Sequence, residues 1–180
     1  MNVCVFCGSS SGTDFIYAEA AREMGHRLAN GGHTLVYGGG NIGLMGIVAD
    51  AALEQQGAVI GVIPDFLLKR EVGHQGLTEL VVVNSMHDRK KKMADLADVF
   101  IALPGGWGTL DELAEILTWR QLGLIQQPIG LLNLDSFFSP LVAQMEAMVQ
   151  KGFLRQDNLN FLTLEDSPSK LLTALGVVTV

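Results

Sequence analysis

Two short stretches combine residue types and spacings that could do chemistry. The first is Pro104-Gly105-Gly106-Trp107-Gly108-Thr109-Leu110-Asp111-Glu112. It joins an apolar, strand-like run (Val99 to Leu103) to a helical pattern with apolar residues at Leu110, Leu113, Ile116 and Leu117. A strand, a glycine turn and a helix N-terminus make backbone N–H groups and the helix dipole converge on an anion. Thr109 and Glu112 also have the spacing of a capping box, hydroxyl on the helix start and carboxylate reaching back, which accounts for both residues structurally. The functional alternative puts the Glu112 carboxylate one turn into a phosphate-binding helix. There it faces what lies beyond the phosphate, such as a ribose, as a general base or a stabiliser of developing positive charge.

The second stretch is Asn84-Ser85-Met86-His87-Asp88-Arg89-Lys90-Lys91-Lys92-Met93. Ser85 with Asp88 three residues later marks a helix start. Four cations, a third of the 12 Lys and Arg in the chain, then occupy the early turns. Positive charge at that end is disfavoured by ~0.3–1 kcal/mol per residue. A bound anion removes the conflict; a solvated basic face is the plain alternative. Arg89 and Lys90, nearest the strand end, are the ligand candidates.

Two further loops carry weaker signals. Gly8-Ser9-Ser10-Ser11-Gly12-Thr13 offers small residues and hydroxyls suited to a phosphate or sugar, with Ser9 foremost, and reads equally as a βα loop with its N-cap at Thr13 or Asp14. Gly38-x-Gly40-x-x-Gly43, with Asp65 twenty-two residues on, fits the dinucleotide fingerprint. It follows the second strand rather than the first. A tight turn with close helix–sheet packing, a phosphate contact through Gly40 and a dinucleotide site all remain open for it.

The elements that must position these residues alternate. Strands are expected at Val3–Cys7, His33–Tyr37, Ala58–Ile63, Glu79–Asn84, Val99–Leu103, Ile129–Leu132 and Asn160–Leu164. Helices are expected at Asp14–Asn30, Leu44–Gln56, Met86–Ala97, Thr109–Leu122, Phe137–Lys151 and Ser167–Leu175. Val-, Ile- and Leu-rich strands separated by helices imply parallel βα units in an α/β, Rossmann-like three-layer αβα sandwich with a mostly parallel sheet. Ligands in such sheets bind beyond the carboxyl ends of the strands, where all four loops above lie. Pro64–Thr78 is the one long irregular connection, a length often tied to function.

Bulk properties narrow the classes. At 180 residues the chain reads as one domain, 1–180. With 48% hydrophobic and 17% charged residues, disorder is excluded. A net charge of −7 argues against a dedicated nucleic-acid or anionic-membrane binder. No apolar run approaches the ~18 residues of a membrane span, and MNVCVFCGSS reads as a first strand, not a signal peptide, so a cytoplasmic location is expected. Cys4 and Cys7, three apart in a strand, sit ~10 Å apart on opposite faces. They read as buried thiols; a redox or metal role is the alternative.

Taken together, Pro104 to Glu112 and Met86-His87-Asp88-Arg89-Lys90 resemble the P-G-G-x-G-T-x-x-E and M-H-x-R-K signatures of the LOG ("lonely guy") family, whose bacterial members are often labelled lysine decarboxylases. The similarity runs from the CGSS start through YGGGNIGLMG to GLLNLDSFF. It implies a Rossmann-like homodimer that hydrolyses the N-glycosidic bond of a purine ribonucleoside 5′-monophosphate. That substrate is a cytokinin-type nucleotide or AMP, and the products are free base and ribose 5-phosphate. Arg89 and Glu112 match the catalytic pair. Glu71, Met86, Lys90, Gly106, Trp107, Gly108, Thr109, Leu110, Asp111 and Thr118 match nucleotide contacts or their signatures, and Ser9, Gly40 and Gly105 complete the expected binding set. No metal or organic cofactor is implied. Pyridoxal phosphate chemistry needs a Schiff-base lysine, and the sequence singles none out. The competing readings are a non-catalytic nucleotide or molybdenum-cofactor carrier on the same fold, and an NAD-binding oxidoreductase built on Gly38, Gly40, Gly43 and Asp65.

Overall fold

The computed structural model describes residues 1–68 and 73–178. The chain runs β1 (Asn2–Phe6), α1 (Phe15–Asn30), β2 (Thr34–Tyr37), α2 (Gly43–Glu54), β3 (Val59–Pro64), α3 (Asp65–Leu68), β4 (Glu79–Val83) and α4 (Met86–Leu96). It continues through β5 (Val99–Ala102), α5 (Trp107–Gln121), β6 (Ile129–Leu132), α6 (Ser139–Gln150), α7 (Gln156–Leu159), β7 (Leu162–Glu165) and α8 (Pro168–Ala174). The strands form one sheet in the order β4-β3-β2-β1-β5-β6-β7, and every neighbouring pair is parallel. The fold is thus α/β and Rossmann-like, with a sheet that is parallel throughout.

Burial on both faces explains why the central strands read as continuous apolar runs. Val3 and Val5 of β1 and Val99 and Ile101 of β5 pack with Ala21, Met24 and Leu28 of α1, Val48 and Ala52 of α2, and Leu171 and Leu172 of α8. Cys4 and Phe6 of β1 and Phe100 of β5 pack with Met93 of α4, Leu113 and Ile116 of α5, and partly buried Leu141 and Val142 of α6. Each fully buried large side chain of this kind contributes roughly 1.5–3 kcal/mol.

The strand order sets the place of the ligand. From β1 the chain winds outward through β2 and β3 to β4, then returns to β5 on the other side of β1. The β1 and β5 loops therefore diverge to opposite sides and leave a crevice between their carboxyl ends.

Four local expectations change. Pro64–Thr78 is not irregular throughout, since one turn of helix, Asp65–Leu68, follows β3 directly; four residues are too few to show a period. The helix expected from Phe137 starts at Ser139, because Asp135 and Ser136 take left-handed φ values of 49° and 59° and the Asn133 carboxamide accepts from the Phe138 N–H at 2.8 Å. Residues 156–159 add the short helix α7 before the last strand, which lies at Leu162–Glu165. Most consequential, α5 begins at Trp107 rather than Thr109.

Candidate active site

The early start of α5 rewrites the role of Thr109. Gly106 is the N-cap residue, and it has no side chain with which to cap this end. Leu110 N–H is the first to bond back into the helix, to Gly106 O at 3.1 Å. By helix geometry, the N–H groups of Trp107, Gly108 and Thr109 have no intrahelical acceptor and point out of the helix start. Thr109 and Glu112 are therefore not a capping box. Both are buried, and the Thr109 Oγ1 has no hydrogen-bond partner in the protein. A buried hydroxyl left unsatisfied costs about 1–3 kcal/mol unless a ligand takes it up.

Gly105 shows why the turn needs glycine. A Cβ there would collide with the Thr109 hydroxyl and lie 2.9 Å from Gly8 N. Gly8 N–H donates to Pro104 O at 3.2 Å, and Met45 N–H to Gly8 O at 3.3 Å. These bonds lash the β1 loop to the β5 turn and to α2. The crevice between them has a cavity volume of about 220 Å³. Ser9, Gly105 and Gly106 line it, and Tyr17 and Phe137, which meet edge-on at 6.0 Å, form its apolar wall. Sequence reading missed both aromatics, Tyr17 in the first turn of α1 and Phe137 in the turn after β6.

On the other side of the turn, α4 delivers Arg89. Ser85 caps α4 by accepting from Asp88 N–H at 3.0 Å, and Asp88 also accepts from the Ser85 hydroxyl. That start directs Arg89 inward, where only 6% of the residue is exposed. Its Nη2 donates to Gly38 O at 2.7 Å and its Nε to Val62 O at 3.1 Å. A Cβ at Gly38 would collide with Nη2 and lie 3.1 Å from Cζ. The first glycine of the fingerprint thus serves close approach of the guanidinium. That space is filled by the guanidinium, and Gly43, the last glycine of the fingerprint, packs against the Ser9 and Ser10 backbone, so both glycines have packing roles that need no dinucleotide. Met86, the first residue of α4, places its sulfur 3.9 Å from Arg89 Nη1.

Glu112 is equally buried, 8% exposed. The charges of Glu112 and Arg89 both act on the β1 thiols. Burial pushes the Cys4 and Cys7 thiols well up, the Glu112 charge pushes them further, and the Arg89 charge opposes. These free, buried cysteines stay protonated, which suits core residues and not nucleophiles.

The rest of the basic run divides. Lys90 bridges to α5, its Nζ 3.0 Å from Asp111 and 3.3 Å from Glu115. Burial works against its charge, but the hydrogen bonds and charges of Asp111 and Glu115 outweigh it and hold the pKa above the ordinary lysine value. Lys91 pairs with Asp95 on the helix surface. Trp107 is 88% exposed at the start of α5. Gly40 forms an antiparallel bridge with Gly73 and does not line the crevice. Leu110 and Thr118 line a different, apolar groove of about 430 Å³ between α5, α6, α7 and β7. Glu71 lies outside the described residues. Among the described residues no group of three or more His, Cys, Asp or Glu could hold a metal ion, and no helix is long and apolar enough to cross a membrane.

The sequence and the fold are similar to those of known proteins. Residues 45–175 match the family model described as "Possible lysine decarboxylase". A relative from Oryza sativa subsp. japonica, the probable cytokinin riboside 5′-monophosphate phosphoribohydrolase LOGL2, is 46% identical over 96% of this chain and 71% of its own length. The cytokinin riboside 5′-monophosphate phosphoribohydrolase LOG of the same plant is 49% identical over 86% of this chain, which spans 64% of that protein. The solved structure of the molybdenum cofactor carrier protein of Chlamydomonas reinhardtii shares the fold alone: TM-score 0.75 at 19% identity, covering 97% of this chain and 95% of that one. With the family model matching residues 45–175 and a relative 46% identical over 96% of this chain, the chain belongs to the LOG family.

Proposed function

We propose that this chain hydrolyses the N-glycosidic bond of a purine ribonucleoside 5′-monophosphate, of cytokinin type or AMP, to free base and ribose 5-phosphate. The observation that carries the reading is the pair of buried opposite charges, Arg89 and Glu112, near a helix start whose N-cap residue is a glycine. The 5′-phosphate fits the N–H groups of Trp107, Gly108 and Thr109, with the unpartnered Thr109 hydroxyl and Ser9 beside them. Breaking the C1′–N bond builds an oxocarbenium-like ribose. Glu112 stabilises that charge or takes a proton from the attacking water, and the departing base gains a proton. Arg89, with N–H groups left over after bonding Gly38 and Val62, meets phosphate or ribose oxygens. Incubation with AMP and with isopentenyladenosine monophosphate, following free base, tests the reading; release from neither by folded protein overturns it. A decarboxylase reading needs a lysine that is neutral near pH 7, and Lys90, the basic residue beside the site, is held charged by Asp111 and Glu115.

The Thr109 hydroxyl yields a separate prediction. Thr109→Val removes a buried group with no protein partner, so the melting temperature is expected to hold or rise. The KM for the nucleotide is expected to rise about tenfold, equivalent to ~1.4 kcal/mol. Melting curves and steady-state kinetics on the same preparation check both.

The active form in this reading is a homodimer. Thr118 stands nine residues beyond Thr109, or about 13 Å along α5 at 1.5 Å per residue. It opens onto the apolar groove with Leu117, Met145, Met148 and 86%-exposed Phe153, not onto the crevice. A second copy covering this groove hides the apolar surface and brings Thr118 to its partner's nucleotide. Leu117→Asp is expected to give monomers in sedimentation and to lower kcat/KM; unchanged mass would end the dimer assignment to this face.

A further inference from the structure

A buried histidine outside the signature motifs joins the site to the rest of the fold. His74 lies in the connection between α3 and β4, with 7% of its surface exposed. Its Nε2 is 2.9 Å from Asp50 Oδ1 on α2, and its Nδ1 accepts the Gly76 N–H at 3.1 Å. An accepting Nδ1 carries no proton, so the proton sits on Nε2 and is donated to Asp50. The His74 backbone N–H donates to Gly39 O at 3.1 Å, and Gly73 bridges Gly40. The ring thereby ties the 73–76 segment to α2, and that segment in turn braces Gly39 and Gly40. Immediately before them is Gly38, whose carbonyl accepts from Arg89 Nη2 and whose Cα lies under the guanidinium.

We propose that His74 is a positioning residue for Arg89: through Asp50, Gly73 and Gly39 it holds the Gly38–Gly40 turn on which the guanidinium rests. The inference depends on Arg89 being the group that meets the nucleotide. The two carbonyl partners of Arg89, Gly38 O just after β2 and Val62 O within β3, seat the guanidinium but make no contact that holds Gly39 or Gly40. The 38–40 turn is glycine throughout, so its backbone has the widest conformational freedom and the most to lose when a brace is removed.

Two readouts test it, one independent of activity. Arg89 Nε–H exchange with solvent, followed by ¹⁵N NMR and assigned with Arg89→Lys, is expected to be slow in the wild-type chain. It is expected to speed at least about tenfold in His74→Ala while amides of β1 and β5 keep their protection. His74→Gln, which keeps a donor for Asp50, is expected to fall between them and serves alone if the alanine variant does not fold. Unchanged Arg89 exchange in the folded variants, or exchange that speeds only in step with β1 and β5, overturns the proposal. In kinetics, kcat is expected to fall about 10- to 100-fold, as for a misplaced reacting group, with KM within about twofold and partial recovery in the glutamine variant. An equal loss in KM alone also overturns it. If the wild-type chain releases no base, the proposed activity fails, and the exchange measurement still decides whether His74 braces Arg89.

Discussion

Replacing Glu112 with Gln is expected to lower kcat for base release by about 10²–10⁴ while the melting temperature stays close to wild type. The substitution keeps the shape and removes the charge. A purely structural Glu112, reaching back to cap α5, would behave in the opposite way. It would lose ~0.5–2 kcal/mol of stability and stay active. The position of Glu112 bears on the choice, because Gly106 rather than Thr109 is the N-cap residue of α5 and Glu112 sits on the second turn, buried, with its charge acting on Cys4 and Cys7. Single-turnover release of base and a thermal melt on one preparation measure both quantities. An active, destabilised variant would remove Glu112 from the chemistry.

Arg89→Lys is the second large effect and should strike activity and stability together. The guanidinium spans Gly38 O, just after β2, and Val62 O, within β3, and still has N–H groups to offer a ligand. An ammonium is a single point on a flexible stem and cannot reproduce that fork. At least one buried carbonyl then loses its partner, at a cost of about 1.5–3 kcal/mol for a hydrogen bond to a charged group. The kcat/KM is expected to fall at least ~100-fold, since the group that aligns the nucleotide is displaced from its seat. Urea titration with assay of the folded fraction distinguishes this from simple unfolding. A variant with normal stability and activity would show that the charge alone matters and the fork does not.

The contrast between these two residues shows why the site was only partly readable. Arg89 and Glu112 stand in local signatures, so residue type and spacing point to them. Their settings do not. Gly38, 51 residues from Arg89 in sequence, looks like the first glycine of a dinucleotide fingerprint until the fold places a guanidinium against it. Thr109 and Glu112 have capping-box spacing, but any two residues three apart on a helix share it. The packing of Gly105 against Gly8 and Thr109 is what accompanies the start of α5 two residues earlier. Leu110 and Thr118 sit within or just beyond the signature and yet face a groove on the far side of the helix, because the helical period turns successive residues to different neighbours.

What the sequence determined by itself was the local order. Apolar periodicity gave seven strands and the longer helices, and glycine-rich turns after the strands marked where an anion could bind. These signals are short-range, written within one turn or one strand, so a linear reading recovers them. Only the tertiary structure decided the pairing of β1 with β5 that opens the crevice, the seat of Arg89 over Gly38, the missing cap at Thr109 and the His74 brace. Each of these joins residues whose proximity depends on the strand order, and no local pattern carries that order.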